Sequence, residues 1–407
     1  MPLLGSQSSG AKGAPTTPTI GTVTLTNSTT VSIPFTAPDS KLPITSYTVT
    51  SDPSIALSTS GSSSPLTVTG SFVTDVSYTF TVTATNANET STASSASNSI
   101  TPNPTPPVRG LLAGGHTGNS TNLIEYITIT STGNATSFGS LQSARSGVGA
   151  CASSTRALFA NGQPPGGYTT TTNVLDYVTI ATTGNGTNFG NVTVGRAWLA
   201  GLSSSTRGIW GGGQVIDGDF NPKSNVIDYV TIATTGNATS FGTLTQSKNY
   251  LASCASSTRG IFYGGNTNSA VNVIEYITIA STGNGTSFGT LIRARYAIAG
   301  CSNSTRGVFA SGEPNSSPYN YNLIDYITIA STGNGTSFGD LTVGRQNLTG
   351  ACSSSTRAVF AGGYTSPSHS NVMDYVTIST TGNATDFGDL TLARDSIGGT
   401  SNGHGGL

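Results

Sequence analysis

The side chains able to do chemistry are few and regularly placed. Charged residues make up 8% of the 407-residue chain, against about 25% in an ordinary soluble domain. Between residues 108 and 407, twelve of the lysines and arginines fall into two series. The first is Arg145, Arg196, Lys248, Arg295, Arg345 and Arg394; the second is Arg109, Arg156, Arg207, Arg259, Arg306 and Arg357. Six acids, Glu125, Asp176, Asp228, Glu275, Asp325 and Asp374, each precede a tyrosine. Two chemistries fit this supply. Three converging arginines could clamp a carboxylate, as a sialidase-like glycoside hydrolase requires, or the basic and acidic series could pair with one another. Because both series recur once per period, the reading here is framework: the first basic series is expected to pair with the acids.

Other catalytic arrangements find little material. The histidines are His116, His369 and His404, and none repeats. No His/Cys cluster has metal-ligand spacing, and neither a Gly-x-Ser-x-Gly elbow nor a Cys–His arrangement is present. The expectation is a non-enzyme with no metal and no cofactor. Cys151, Cys254, Cys301 and Cys352 each stand five residues before an arginine of the second series, and Leu202 takes the equivalent place before Arg207. A site that accepts Cys or Leu reads as a small buried hydrophobe. The net charge is −1, without the basic stripe that phosphate binding needs, so no nucleic-acid partner is expected. Nor is membrane insertion, since no apolar run reaches the roughly 18 residues of a membrane helix. Residues 1–20 show no secretory signal.

The elements that must position these side chains are short strands. From residue 108 the chain repeats with a period close to 50. An Asn recurs at 122, 173, 225, 272, 322 and 371, followed by the acid, Tyr and a β-branched run, then a Gly-Asn turn and Phe-Gly. Each period holds four strand-like segments, for example Arg345–Ala351, Arg357–Gly363, Asp374–Ile378 and Asp386–Leu390. Four strands per 40–50 residues is a propeller-blade signature. The Gly-Gly pair after the second strand, the Tyr of the third, an aromatic in the fourth and an Arg before the next first strand resemble kelch repeats. Phe-Gly stands where kelch repeats usually carry Trp, and two doublets are weaker, Asn161-Gly162 and Ser311-Gly312. The resemblance implies six blades over 108–407. The first period begins at its second strand and the last ends after a first strand, so the C-terminal strand is expected to complete the N-terminal blade. The Gly-Asn and Asn-Gly turns are read as positive-φ connections between strands three and four, although Asn284, Asn334 and Asn383 also match glycosylation sequons.

Residues 15–104 differ. Alternating runs such as Val31–Phe35, Ile44–Val49, Leu66–Val68 and Tyr78–Ala84 predict an antiparallel sandwich. Ile44-Thr-Ser-Tyr47, the Leu66 turn and Tyr78–Asn86 resemble a fibronectin type III domain, with Phe35 where many members have Trp. Residues 1–14 form a Gly/Ser-rich leader, a candidate anchor, and 105–107 lie in a Pro-rich linker. The fold class expected is therefore all-β: a fibronectin type III-like sandwich followed by a six-bladed kelch-like propeller.

What does not repeat is the loop between strands two and three, six to eleven residues long before the recurring Asn. These loops carry Tyr168, Asp217, Asp219, Phe220, Glu313, Tyr319, Tyr321, Tyr364 and His369, the candidate binding residues, because loops on a rigid scaffold are where binding is placed. A short leader, one immunoglobulin- or fibronectin-like module and a Thr/Asn-rich β-domain resemble bacteriophage surface proteins. That resemblance implies a virion structural protein: a fibre, tail appendage or capsid decoration on the virion surface. Its expected partners are other virion proteins, further copies of itself in an assembly, and a host receptor or glycan. An extracellular carbohydrate-binding propeller is the alternative, and a sialidase-like enzyme the next.

Overall fold

The computed structural model describes residues 13–73, 76–102, 107–166, 169–217, 221–316 and 321–407. These residues form strands, bridges and turns and no helix. They divide into two compact units, Met1–Pro106 and Pro107–Leu407.

The first unit is antiparallel. Thr24–Asn27, Thr30–Ile33, Leu66–Gly70 and Leu57–Ser60 make one sheet, and Ile44–Asp52 pairs along its length with Thr79–Asn86. Alternation puts Val31, Ile33, Val49, Leu66, Val68, Phe80 and Val82 into one core, as period-two patterning requires. Phe35 is buried against Tyr47, ring centroids 4.5 Å apart. The alternating run Leu66–Val68 opens the strand Leu66–Gly70, with Leu66 fully buried.

The second unit contains six four-stranded antiparallel sheets. Sheet two is Gly149–Ala152, Arg156–Ala160, Val174–Thr179 and Thr187–Asn191, and sheets three to six repeat this order, starting at Ala200, Ala252, Ala299 and Gly350. Sheet one is composite. Arg109–Ala113, Leu123–Thr128 and Thr136–Ser140 come from the start of the unit, and the C-terminal Gly398–Ser401 pairs with Arg109–Ala113 as its fourth strand. First strands contact first strands in order, and Gly398–Ser401 touches those of sheets six and two. The circuit of neighbours thus returns to its start.

Both faces of each sheet are needed for the core. Six apolar clusters lie between adjacent sheets, not within them; Phe138 and Phe159 meet between sheets one and two, and Leu112 and Val359 between sheets six and one. The four cysteines are free and buried at these contacts, with burial pushing their thiols up, and Leu202 and Thr400 hold the equivalent places in sheets three and one. The fourth strand of every sheet carries a bulge opposite the acid of the third. Ile124 faces Gly139 while Glu125 faces Ser137, so Phe138 is the extra residue, turned into the core. A bulge re-aims a side chain in this way.

The repeated residues connect each sheet to the next. Arg109 lies over Tyr126, 4.8 Å from its centroid, and Nη1 donates to the carbonyls of Ile180 and Ala181 in sheet two. Arg156, Arg207, Arg259 and Arg306 do the same one sheet further on, and Arg357 closes the series by donating to Ile129 in sheet one. The other edge of each Tyr meets the bulge Phe, as for Tyr126 and Phe138 at 6.0 Å and 77°. The turn asparagines also reach across. Asn185 Oδ1 accepts from Ser140 N–H, and Asn134 Oδ1 accepts from Asp389 N–H, each at 3.0–3.1 Å. The expectation of positive φ for these turns holds only in part. Gly133 and Gly236 adopt it, but the asparagines do not; their recurrence is explained by this side-chain clamp.

The glycine of Phe-Gly has its own reason. A Cβ on Gly139, Gly190, Gly242, Gly289 or Gly339 would overlap the carbonyl of the Gly preceding the turn Asn of the next sheet, a backbone approach that only glycine permits. We expect Gly242→Ala to destabilise the protein by about 1–3 kcal/mol, the usual range for overpacking, read as a lower urea midpoint with an unchanged slope.

The first basic series pairs with the acids in all six sheets. Arg145–Asp176, Lys248–Glu275, Arg295–Asp325, Arg345–Asp374 and Arg394–Glu125 are 2.7 Å apart, and Arg196 pairs with Asp228. All six cations are fully buried. Desolvation lowers the arginine pKa values and raises that of Asp176, against the attraction between partners. Such a pair positions chain more than it stabilises it. Asp176→Asn, which strands Arg145, should therefore cost about 3–5 kcal/mol, whereas Arg145→Met with Asp176→Leu should be near neutral. Chemical denaturation of the three proteins checks this.

Candidate functional site at one end of the circuit

Each second strand ends at the side of the unit where the first strands begin. Backbone bridges join the two: Ser146 with Gln163, Ala197 with Gln214, Asn249 with Asn266, Tyr296 with Glu313, Gln346 with Tyr364, and Asp395 with His116. The doublet after each second strand makes this turn possible. Its two residues have φ of 61–73° and 99–117°. The first conformation tolerates Asn161 and Ser311, since Asn and small polar residues visit the left-handed region. The second is glycine in all six sheets, so the two weaker doublets keep the same geometry.

Two residues after each cation of the first series the backbone is again left-handed. Gly147, Trp198, Tyr250, Ala297, Asn347 and Ser396 have φ between 48° and 67°. Five backbone hydrogen bonds link them: Trp198 N–H to Gly147 O, Tyr250 to Trp198, Ala297 to Tyr250, Ser396 to Asn347 and Gly147 to Ser396, at 2.8–3.2 Å. Asn347 N–H is turned instead to Glu313 Oε1, 3.3 Å away. Non-glycine residues held at positive φ concentrate at binding sites, where surrounding structure must impose the strain. The backbone is the same at all six places, but the side chains differ at every one.

Those side chains help line a depression of about 400 Å³, with His116, Gln163, Trp198, Tyr250, Gln346 and Asn347 among its walls, beside Tyr364, His369 and Asp395. The size falls within the range of small-ligand sites. The voids along the first strands are only about 40 and 50 Å³, so a ligand would be held at this end and not between the first strands. Trp198 is buried and stacks on Tyr250 at 4.8 Å and 20°, with Ile216 and Ala197 behind it. Tyr296 continues the arc, 6.0 Å from Tyr250. Burial and the neighbouring Glu313 push the Tyr296 hydroxyl up to about 12, and burial raises Glu313. Among the described residues the lining holds amides, hydroxyls, imidazoles, aromatic rings and the Asp395 carboxylate, and no lysine or arginine.

Of the nine loop candidates, the structure brings Tyr364 and His369 together in the depression, on the two-stranded hairpin Tyr364–Thr365 and Ser368–His369. Glu313 stands next to it through Asn347. Asp217 is exposed and bridges Thr170, and Tyr321 lies under the exposed Arg293, 5.6 Å from its centroid. Tyr168, Asp219, Phe220 and Tyr319 lie outside the described residues. The twelve repeat cations are dispersed one per sheet in each series with partners of their own. Sequence reasoning did not single out Trp198, Tyr250, Tyr296, Asn347, His116 or Asp395 as binding residues. The usable signal was the pair of positions inside the repeated frame, one and two after the cation, at which no two copies agree.

No protein-family model and no curated protein matches the chain.

The opposite end of the first strands is occupied by the chain itself. Gly405 N–H donates to Ser302 O at 2.9 Å, and His404 Nε2 donates to Ala152 O at 2.8 Å while its Nδ1 accepts from Gly406 N–H at 3.1 Å. These bonds select the neutral Nε2–H tautomer, and burial lowers the imidazole pKa. With the folded-state pKa below the unfolded value of roughly 6.5, the stabilisation is complete above that value and lost as pH falls toward the folded-state pKa. The protection factors of the Gly405 and Gly406 amides, corrected for the intrinsic slowing of exchange at lower pH, should fall on going from pH 7.5 to 5. His404→Gln should remove that pH dependence.

Proposed function

We propose that the second unit is a six-bladed kelch-like β-propeller closed by the C-terminal strand, that the first is a fibronectin type III-like module, and that the whole is a structural protein of a virion surface. In this reading the chain is a bacteriophage fibre, tail appendage or capsid decoration, attached through its N-terminal leader or first module, and its propeller presents the depression to a host glycan. The observation that carries the binding part is the contrast at one end of the circuit: identical strained backbone in six copies, with different side chains at all six places. The lining favours a neutral sugar. Amides and hydroxyls can satisfy sugar hydroxyls, Tyr250 and Tyr364 offer ring surface, and no lysine or arginine is present among the described lining residues to pair with a sialate or phosphate. A sialidase-like reading is therefore less supported than carbohydrate binding.

The full chain on a glycan array should bind neutral and not sialylated glycans. Asn347→Ala should weaken that binding by about tenfold, equivalent to about 1.4 kcal/mol. Exclusive binding of sialylated glycans, or none, would overturn the ligand assignment. Labelled antibody on purified particles tests the virion assignment separately, and removal of residues 1–14 should abolish incorporation. Secretion of the free chain, with no particle carrying it, would favour the extracellular carbohydrate-binding alternative.

A further inference from the structure

The wall of the depression contains three groups that the propeller framework does not use. His116 follows the doublet of sheet one, His369 sits on the hairpin of sheet six, and Asp395 precedes the C-terminal strand. One ligand atom from each lies within 4.8 Å of the other two. His369 Nδ1 is 3.3 Å from Asp395 Oδ2, and the two imidazole centroids are 5.5 Å apart. We propose that His116, His369 and Asp395 bind a first-row divalent transition-metal ion of the zinc class, clasping the seam where the last strand joins the first sheet.

Three features support this beyond proximity. The ligand set, two imidazoles and one carboxylate, suits zinc, cobalt or nickel and not magnesium or calcium, which prefer all-oxygen surroundings. The backbone is already fixed. His116 N–H donates to Asp395 O at 2.9 Å and Asp395 N–H to His116 O at 3.1 Å, and the hairpin bearing His369 is tied by Tyr364 N–H to Gln346 O at 2.7 Å. Only side-chain rotation is then needed to bring the donors to about 3.4 Å from one another, the separation that metal–ligand distances near 2.1 Å imply for tetrahedral geometry. Finally, Asp395 is 6% exposed, yet its ion-pair partner among the described residues is His369, where the six framework acids each face a lysine or arginine. A buried carboxylate without a permanent cation is suited to a metal ion. The three protein ligands leave coordination positions that face the depression and could take water or a ligand hydroxyl. This inference does not depend on the glycan reading.

The test uses the full chain without an affinity tag, stripped with chelator and titrated with Zn²⁺ or Co²⁺. We expect one equivalent to bind with micromolar or tighter affinity, to raise the melting temperature, and to give Co²⁺ spectra without thiolate charge-transfer bands. X-ray absorption of the zinc form should show nitrogen and oxygen neighbours and no sulfur. Loss of partners outside the ligand shell weakens metal sites by 10–100-fold, so His116→Ala and His369→Ala should each weaken binding by about 100-fold or more, and His116→Ala, which keeps the His369–Asp395 pair, should leave the metal-free melting temperature near that of the parent. No uptake by the parent chain, sulfur ligation, equal affinity in the histidine variants, or preference for Ca²⁺ over Zn²⁺ would each overturn the assignment.

Discussion

A sheet that buries both faces cannot end. In the second unit the apolar clusters lie between sheets, so each sheet needs a neighbour on either side, and a linear array of six would leave two apolar faces in water. Contact between sheets six and one, with the C-terminal strand completing sheet one, removes that exposure. Several kinds of residue obey the same constraint. The arginines of the second series reach the carbonyls of the next sheet, the turn asparagines accept from the previous one, and the Phe-Gly glycine lets the next turn's backbone approach. Each series runs around the circuit in one direction and returns to sheet one.

Charge is handled in the same local way. Each sheet encloses one ion pair whose members lie on the segment before the first strand and on the third strand. Desolvation cancels much of the attraction, so each pair ties its two segments together while adding little net stability. The second arginine series is less deeply buried and lies between a tyrosine ring and one or two carbonyls of the next sheet. With twelve cations committed in this way, little charge remains for the outer surface or for the depression, whose chemistry comes from amides, aromatic rings and two imidazoles.

Much of this was legible in the chain. Repetition exposed the strands, the composite first sheet and the pairing of basic and acidic series, because a residue that recurs in every copy must meet the same need in every copy. The same logic identified the cysteines as interchangeable with Leu202. It misassigned the turn asparagines, because a side chain that serves the neighbouring sheet looks, within one copy, like a turn former. It also overlooked Trp198, Tyr250 and Asn347. These follow a conserved cation inside the repeated frame, and attention to the variable loops alone passed over them.

By itself the sequence determined the number of sheets, their strand order, the partners within each sheet and the class of residue at each contact, since all of these depend on short-range periodicity. Tertiary structure alone decided what meets at the seam. His116, His369 and Asp395 are remote in the chain, belong to no repeat and have no ligand-like spacing. They share a wall because the last strand must pair with the first sheet. Likewise, the side chains two after each cation gather at one end only because the six left-handed turns follow one another along the circuit of neighbouring sheets.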